Sequence, residues 1–315
     1  MFIKIINSLH NKIRIDKALS ILLPKYSRSK IKSYILQSYI TSNNKIINSP
    51  KKYIYGGENI QIKVPEENKN LNPKNIKLNI IYNDNEIVAI NKPNNMSVYP
   101  GNGKEEETLL HALLYHYPKI YQIPRAGIIH RLDKNTTGIM IIAKTAFMQN
   151  KLTQLIKNKQ IIKEYEAIVT GNIIQHGSIH APIKRHQIRR TQMTVHATGK
   201  QSTTHYNIIR SFPHHTYIKI YLETGRTHQI RVHMQHINHP IVGDKIYGKS
   251  SCQIIQKIYK QYKKKLLFFN RQALHAKKIT FNHPITHNTI TLRAPLPHDI
   301  LSLLKILDLS NKKKT

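Results

Sequence analysis

The chain has 315 residues and carries 50 Lys and Arg against 16 Asp and Glu, a formal charge of +34 with every histidine neutral. So large a cationic excess argues against an enzyme of neutral metabolites and points to a polyanion, whose phosphates give sequence-independent affinity through counterion release. A single cysteine, Cys252, excludes a disulfide framework and a cysteine-based zinc cluster.

AT-rich coding, visible in the abundance of Ile, Asn and Lys, accounts for part of the charge. It explains less well the crowding in Lys184-Arg185-His186-Gln187-Ile188-Arg189-Arg190. No run approaches the roughly 20 apolar residues of a membrane helix. Met1 to Arg14 lacks the continuous apolar core of a signal peptide. The expectation is a soluble, cytoplasmic, monomeric chain of two domains, without cofactor or metal.

From Arg14 the pattern is that of a small module. Ile15, Ala18, Leu19 and Leu22 fall at helical spacing before Pro24, and Ser27 is placed to cap a second helix carrying Ile31, Tyr34 and Ile35. Short β segments follow at Tyr39-Thr41 and Lys45-Ile47, then a Gly56-Gly57 turn and Ile60-Val64. Arg28, Lys30 and Lys32 put three cations at the start of the second helix. The module is expected over residues 1–65, with a polar, proline-bounded linker over 66–76.

The second domain is expected over 77–310. Ile80-Tyr82 and Ile87-Ile90 flank Asn83-Asp84-Asn85 as a hairpin would. Thr145 to Ile156 reads as a helix, apolar at Phe147, Leu152 and Leu155. Tyr217 to Leu222 alternates, with Ile218, Ile220 and Leu222 on one face, as a half-buried antiparallel strand does. Many strands and few helices indicate an α+β domain on a mixed, largely antiparallel sheet. Residues 249–265 read as a basic surface insertion and 311–315 as a disordered basic tail.

The densest chemistry lies in His130-Arg131-Leu132-Asp133-Lys134-Asn135-Thr136-Thr137-Gly138, ahead of the apolar run Ile139 to Ala143. On spacing alone this is turn chemistry feeding a buried strand. Tyr165, in Lys163-Glu164-Tyr165, on the same basis is a half-buried strand tyrosine. His233, His236 and His239 recur every three residues, but acids are scarce and no His-Glu-x-x-His occurs, so no metal site is expected.

Taken together with Asn91-Lys92-Pro93, Tyr99-Pro100-Gly101 and Gly225-Arg226-Thr227-His228-Gln229-Ile230-Arg231-Val232-His233, these segments resemble the large-subunit ribosomal RNA pseudouridine synthases. Pro124 to Ile129, Val242-Gly243-Asp244-Lys245-Ile246-Tyr247-Gly248 and Arg271 to Ala276 are most similar to subfamily D. Tyr99 departs from the histidine usual there. The resemblance implies an S-four-type RNA-binding module followed by a pseudouridine synthase domain.

It also implies roles. Asp133 would be the nucleophile, adding to uracil carbon 6 or acting at the anomeric carbon through a glycal, with Arg231 paired to it and Tyr165 packed on the flipped base. Arg131 would fill the space left in the RNA, with His130, Arg226, Arg28, Lys30 and Lys32 as further RNA contacts. The partner implied is 23S rRNA or an assembling large subunit, at clustered uridines of the intersubunit-bridge hairpin (helix 69), with no DNA and no membrane. The alternatives are a subfamily C-like synthase with other 23S targets and a non-catalytic RNA-binding assembly factor.

Overall fold

The computed structural model describes residues 2–4, 12–23, 28–63, 72–101, 107–248 and 269–312. The chain divides into two compact units, Met1–Leu71 and Asn72–Thr315. Most of the expected linker, the insertion at 249–265 with Cys252, and residues 313–315 of the tail lie outside the described residues.

The first unit runs β1 (Phe2–Lys4), β2 (Ile13–Arg14), α1 (Ile15–Leu22), α2 (Arg28–Leu36), β3 (Ile40–Ser42), β4 (Lys45–Ile46), β5 (Tyr53–Ile54) and β6 (Asn59–Ile62). The strands pair in the order β1-β6-β3-β4, with β2 and β5 as a separate pair. Ile15, Leu19, Ile31, Ile35, Ile40, Ile54 and Ile60 close a core between helices and strands. Leu22, expected on the apolar face of α1, is a surface position at 43% exposure, and Leu23 is buried in its stead where the helix ends. Ser27 and the side chain of Lys30 lie outside the described residues.

The second unit runs β7 (Ile80–Asn83), β8 (Ile87–Lys92), α3 (Leu109–His116), two single-turn helices (Pro118–Gln122 and Pro124–Gly127), β9 (Thr137–Ala143), α4 (Ala146–Lys157), β10 (Ile162–Thr170), β11 (Gly177–His180), β12 (Ile183–Arg185), β13 (Met193–Val195), β14 (Thr203–Phe212), β15 (His215–Leu222), α5 (Gln229–His236), β16 (Leu274–Asn282), β17 (Thr289–Arg293) and α6 (His298–Lys312). Among the described residues one sheet has the order β11-β14-β15-β10-β16-β9-β8-β7, with β17 also on β16. Every pairing in it is antiparallel except that of β9 with β16.

β9 is buried at all seven positions, as an unbroken apolar run should be when both sheet faces are covered. On one face α4 contributes Met148 and Leu152, which meet Ile139, Ile141 and Phe281. Thr145 caps α4 by accepting from Met148 N–H at 3.2 Å. Phe147, expected in the core, is exposed, with the Lys151 ammonium 5.5 Å from its ring. The helix turns Met148 inward instead, a one-position phase error in the periodicity. In β15, Tyr217 is buried along with Ile218 and Ile220 because its hydroxyl donates to the buried Glu166 on β10. Residues 72–76, expected in the linker, lie against α3: Lys74 N–H donates to His111 O at 3.1 Å and His116 Nε2 bonds Ile76 O at 2.9 Å. The helix α6 continues through Lys312, past the expected start of the tail.

His215 and His275 are wholly enclosed. His215 has no hydrogen-bond partner at either ring nitrogen, and His275 bonds Thr137 Oγ1 at 2.8 Å, tying β16 to β9. Burial pulls both rings down to about 4. The unfolded chain, near pH 6.5, therefore takes up these protons first, and stability present above that pH is lost as pH falls toward 4. At pH 5 each ring should cost about 2 kcal/mol, before the carboxylates titrate. The urea midpoint should drop between pH 7.5 and pH 5; an unchanged midpoint would count against neutral, sealed rings.

Candidate active site

The turn Asp133-Lys134-Asn135-Thr136 closes with Thr136 N–H on Asp133 O at 3.0 Å and feeds β9. Three side chains from distant segments fix it. Lys92, fully buried at the end of β8, donates to the carbonyls of Pro93 (2.8 Å), Met96 (3.0 Å) and Lys134 (3.0 Å). Arg271 donates to Asn135 O at 3.1 Å, and Gln272 to Thr136 Oγ1 at 3.0 Å. Gly138 has φ +114°, and a Cβ there would stand 2.2 Å from Ala276 O. Only glycine lets β9 approach β16 this closely beside the turn.

Burial lowers the Lys92 amine to about 7, with the Asp133 carboxylate opposing the fall. Its three carbonyl acceptors match the three donors of an ammonium, so the hydrogen bonding favours the charged form.

Arg231, on α5 and only 5% exposed, spans two acids. Nη1 donates to Asp133 Oδ2 at 2.9 Å, while Nε and Nη2 take Asp244 Oδ2 and Oδ1 at 2.6 and 2.9 Å. The two carboxylates push the guanidinium's pKa up, so it holds its charge. Asp244 is itself positioned by Ile246 and Tyr247 N–H, at 2.9 and 3.1 Å, in a turn entered at Gly243, whose φ is +77°. A guanidinium held along one edge by a bidentate carboxylate has its remaining nitrogen aimed.

Asp133, Tyr165, Arg131, Arg226, His228 and Arg231 line one cleft, with Leu222, Ile230 and Leu274 as apolar wall. Tyr165 comes from β10, where the register with β16 shifts between Glu164 and Tyr165 and so re-aims the side chain. Burial first, and the Asp133 charge second, push its phenol up, keeping it neutral. Arg131 and Arg226 are exposed at the rim.

His130 is not brought to this cleft. Its Nε2 accepts from Ile141 N–H at 2.9 Å, and burial, then Lys163, pull the ring down to about 3. A ring spent on the strand's own backbone bridges the turn to β9, and offers RNA no charge. Arg28 and Lys32 lie in the first unit. Arg28 donates twice to the buried Asp16, at 3.0 and 2.8 Å, and Lys32 Nζ stands 3.8 Å from the same carboxylate. Both remain about half exposed.

Asp244, Lys92, His228 and Tyr247 were given no role by the sequence reading. All four fall within the segments that carry the family resemblance, and Asp244 also stands out as one of only 16 acids, set in a Gly-bounded segment. His233 spends both nitrogens inside the fold, on Thr204 Oγ1 at 2.9 Å and Ala181 O at 3.0 Å.

A carboxylate with one oxygen gripped, in a cleft rimmed by guanidinium groups and floored by a neutral phenol, can attack a base or sugar drawn out of a nucleic-acid strand. The profile of the RNA pseudouridylate synthases matches residues 86–236, which span that turn, Tyr165 and Arg231. The chain belongs to this family, and is an isomerase. It is 47% identical to the ribosomal large subunit pseudouridine synthase D of Yersinia pestis over 301 residues, 93% of this chain and 90% of that one. The synthase D of Buchnera aphidicola subsp. Acyrthosiphon pisum is 49% identical over 294 residues, covering 92% and 93%. Among solved structures, the human RNA pseudouridylate synthase domain containing 4 shares the fold with a TM-score of 0.57 at 22% identity, over 73% of this chain and 93% of that one.

Proposed function

We propose that the chain isomerises uridines of 23S rRNA, those clustered in the helix 69 hairpin, with Asp133 as the nucleophile. One observation carries the assignment of Asp133: its Oδ2 is held by the buried Arg231 while the side chain keeps 20% exposure at the cleft. The names of the relatives supply the ribosomal target. Tyr165 packs on the flipped uracil, Arg131 enters the gap in the RNA, and Arg226 meets the backbone. No net redox change occurs, because one carbon–nitrogen bond is exchanged for one carbon–carbon bond and one proton moves from carbon 5 to nitrogen. The enzyme works as a monomer in the cytoplasm on 23S rRNA or an assembling subunit.

The first unit acts as an S-four-type RNA-binding module, in which the half-exposed Arg28 and Lys32 on α2 face the RNA backbone. Removing residues 1–71 should leave the remainder folded and raise KM for rRNA by about tenfold or more, through lost phosphate contacts. A truncated protein that does not fold would reject this division of labour.

Tritium release from carbon 5 of labelled 23S transcript, with mapping of the modified uridines, tests the assignment. Release confined to the helix 69 hairpin is expected. Release elsewhere in 23S rRNA would replace the target, and no release from transcript or pre-ribosomal particles would reject the activity.

A further inference from the structure

The opposite oxygen of Asp133 has a neighbour to which the reaction assigns nothing. His228 Nε2 stands 3.8 Å from Asp133 Oδ1, inside the cleft that also holds Tyr165. Its backbone is left-handed, at φ 56°, immediately before α5. A non-glycine residue held there stores strain, and such strain gathers where a side chain must be aimed.

The ring is held from behind. His228 Nδ1 lies 2.8 Å from Tyr247 Oη, and that oxygen accepts from Met193 N–H at 2.8 Å. With the amide donating to it, the hydroxyl turns its own hydrogen to Nδ1. The tautomer that results carries its proton on Nε2, pointing at Asp133. Tyr247 also lies under the Arg231 guanidinium, 4.9 Å from its ring centroid. One tyrosine thus steadies both groups that face the acid, and Asp244, two hydrogen bonds away, starts the turn that delivers it.

We propose that His228 is a positioning residue: its Nε2–H steers Asp133 Oδ1 toward the substrate while Arg231 holds Oδ2. Burial depresses the ring's pKa, against the pull of Asp133, which keeps it a neutral single donor on this side. A gap of 3.8 Å exceeds a hydrogen bond, and catalytic contacts of this kind commonly tighten when substrate fills the site. The inference rests on the reading of Asp133 as nucleophile.

The test compares His228→Asn, His228→Gln, Tyr247→Phe and Asp133→Asn in the full-length protein on 23S transcript, with thermal melting and RNA affinity as controls for folding. Asparagine tolerates the left-handed backbone but ends short of Nε2; glutamine places an amide N–H near it. Loss of one aimed donor predicts a kcat about a hundredfold lower for His228→Asn, with KM within about twofold. His228→Gln should recover about tenfold of that loss, and Tyr247→Phe, which frees the tautomer, should fall between. Wild-type kcat in His228→Asn, or a loss confined to KM, overturns the proposal. So does equal loss in the Asn and Gln variants with normal melting, because that is the mark of a merely structural ring. Should Asp133→Asn itself keep turnover, the nucleophile assignment falls first, and the proposal with it.

Discussion

Asp133→Asn should release no tritium above about a thousandth of the wild-type rate, the scale expected when a nucleophile is removed. RNA affinity should stay within about threefold, because phosphate contacts supply most of the binding and Arg131 and Arg226 are untouched. Asparagine keeps the size of the side chain and a carbonyl oxygen for Arg231 Nη1, so the turn at 133–136 should survive. The measurement is single-turnover tritium release beside filter binding at one salt concentration. Parallel collapse of both would mean that Asp133 holds RNA rather than attacking it.

Asp244→Ala should do more damage to the fold. Its carboxylate is fully enclosed and takes four donors, two from Arg231 and the N–H groups of Ile246 and Tyr247. Removing it leaves a buried guanidinium with one partner, at a cost of about 3–5 kcal/mol. For a unit of this size the melting temperature should fall by roughly 6–20 °C. Turnover should fall with it, since Nη1 is no longer aimed at Asp133. The double variant Asp244→Leu/Arg231→Met should regain much of the stability and none of the activity, because an apolar pair replaces a buried ionic one without strain of charge. A single variant that melts like wild type would show that the fork is not what holds Arg231.

The sequence showed most clearly what local pattern controls. The run Ile139 to Ala143 is a fully buried strand, the segment before it is a turn, and a helix follows within a residue of the expected bounds. Family resemblance singled out Asp133, Tyr165 and Arg231, and the fold brings them to one cleft from three separate elements. What stayed hidden depends on distance in sequence. Arg231 and Asp244 are 13 residues apart, and Arg231 and Asp133 are 98 apart, so no periodicity relates them. His130 was hidden for a different reason. Adjacent to Arg131, it turns away from the cleft to satisfy a strand N–H, and alternation along an irregular segment cannot be read from residue types. Phe147 is exposed because the helix turns Met148 and Leu152 onto the sheet, a phase that the apolar residues alone leave open.

The parallel pairing of β9 against β16 has a consequence for how the enzyme is born. His275 and Thr137, bonded across that pair, are 138 residues apart. At about 5–20 residues per second, a ribosome needs roughly 7–30 s to go from one to the other. Throughout that interval the segment bearing Asp133 lacks Arg271 and Gln272, which later clamp its turn, and the strand edge that β16 will cover stays open. A nascent polypeptide that has not yet reached β16 is therefore expected to lack activity, because the turn that bears Asp133 is still unclamped.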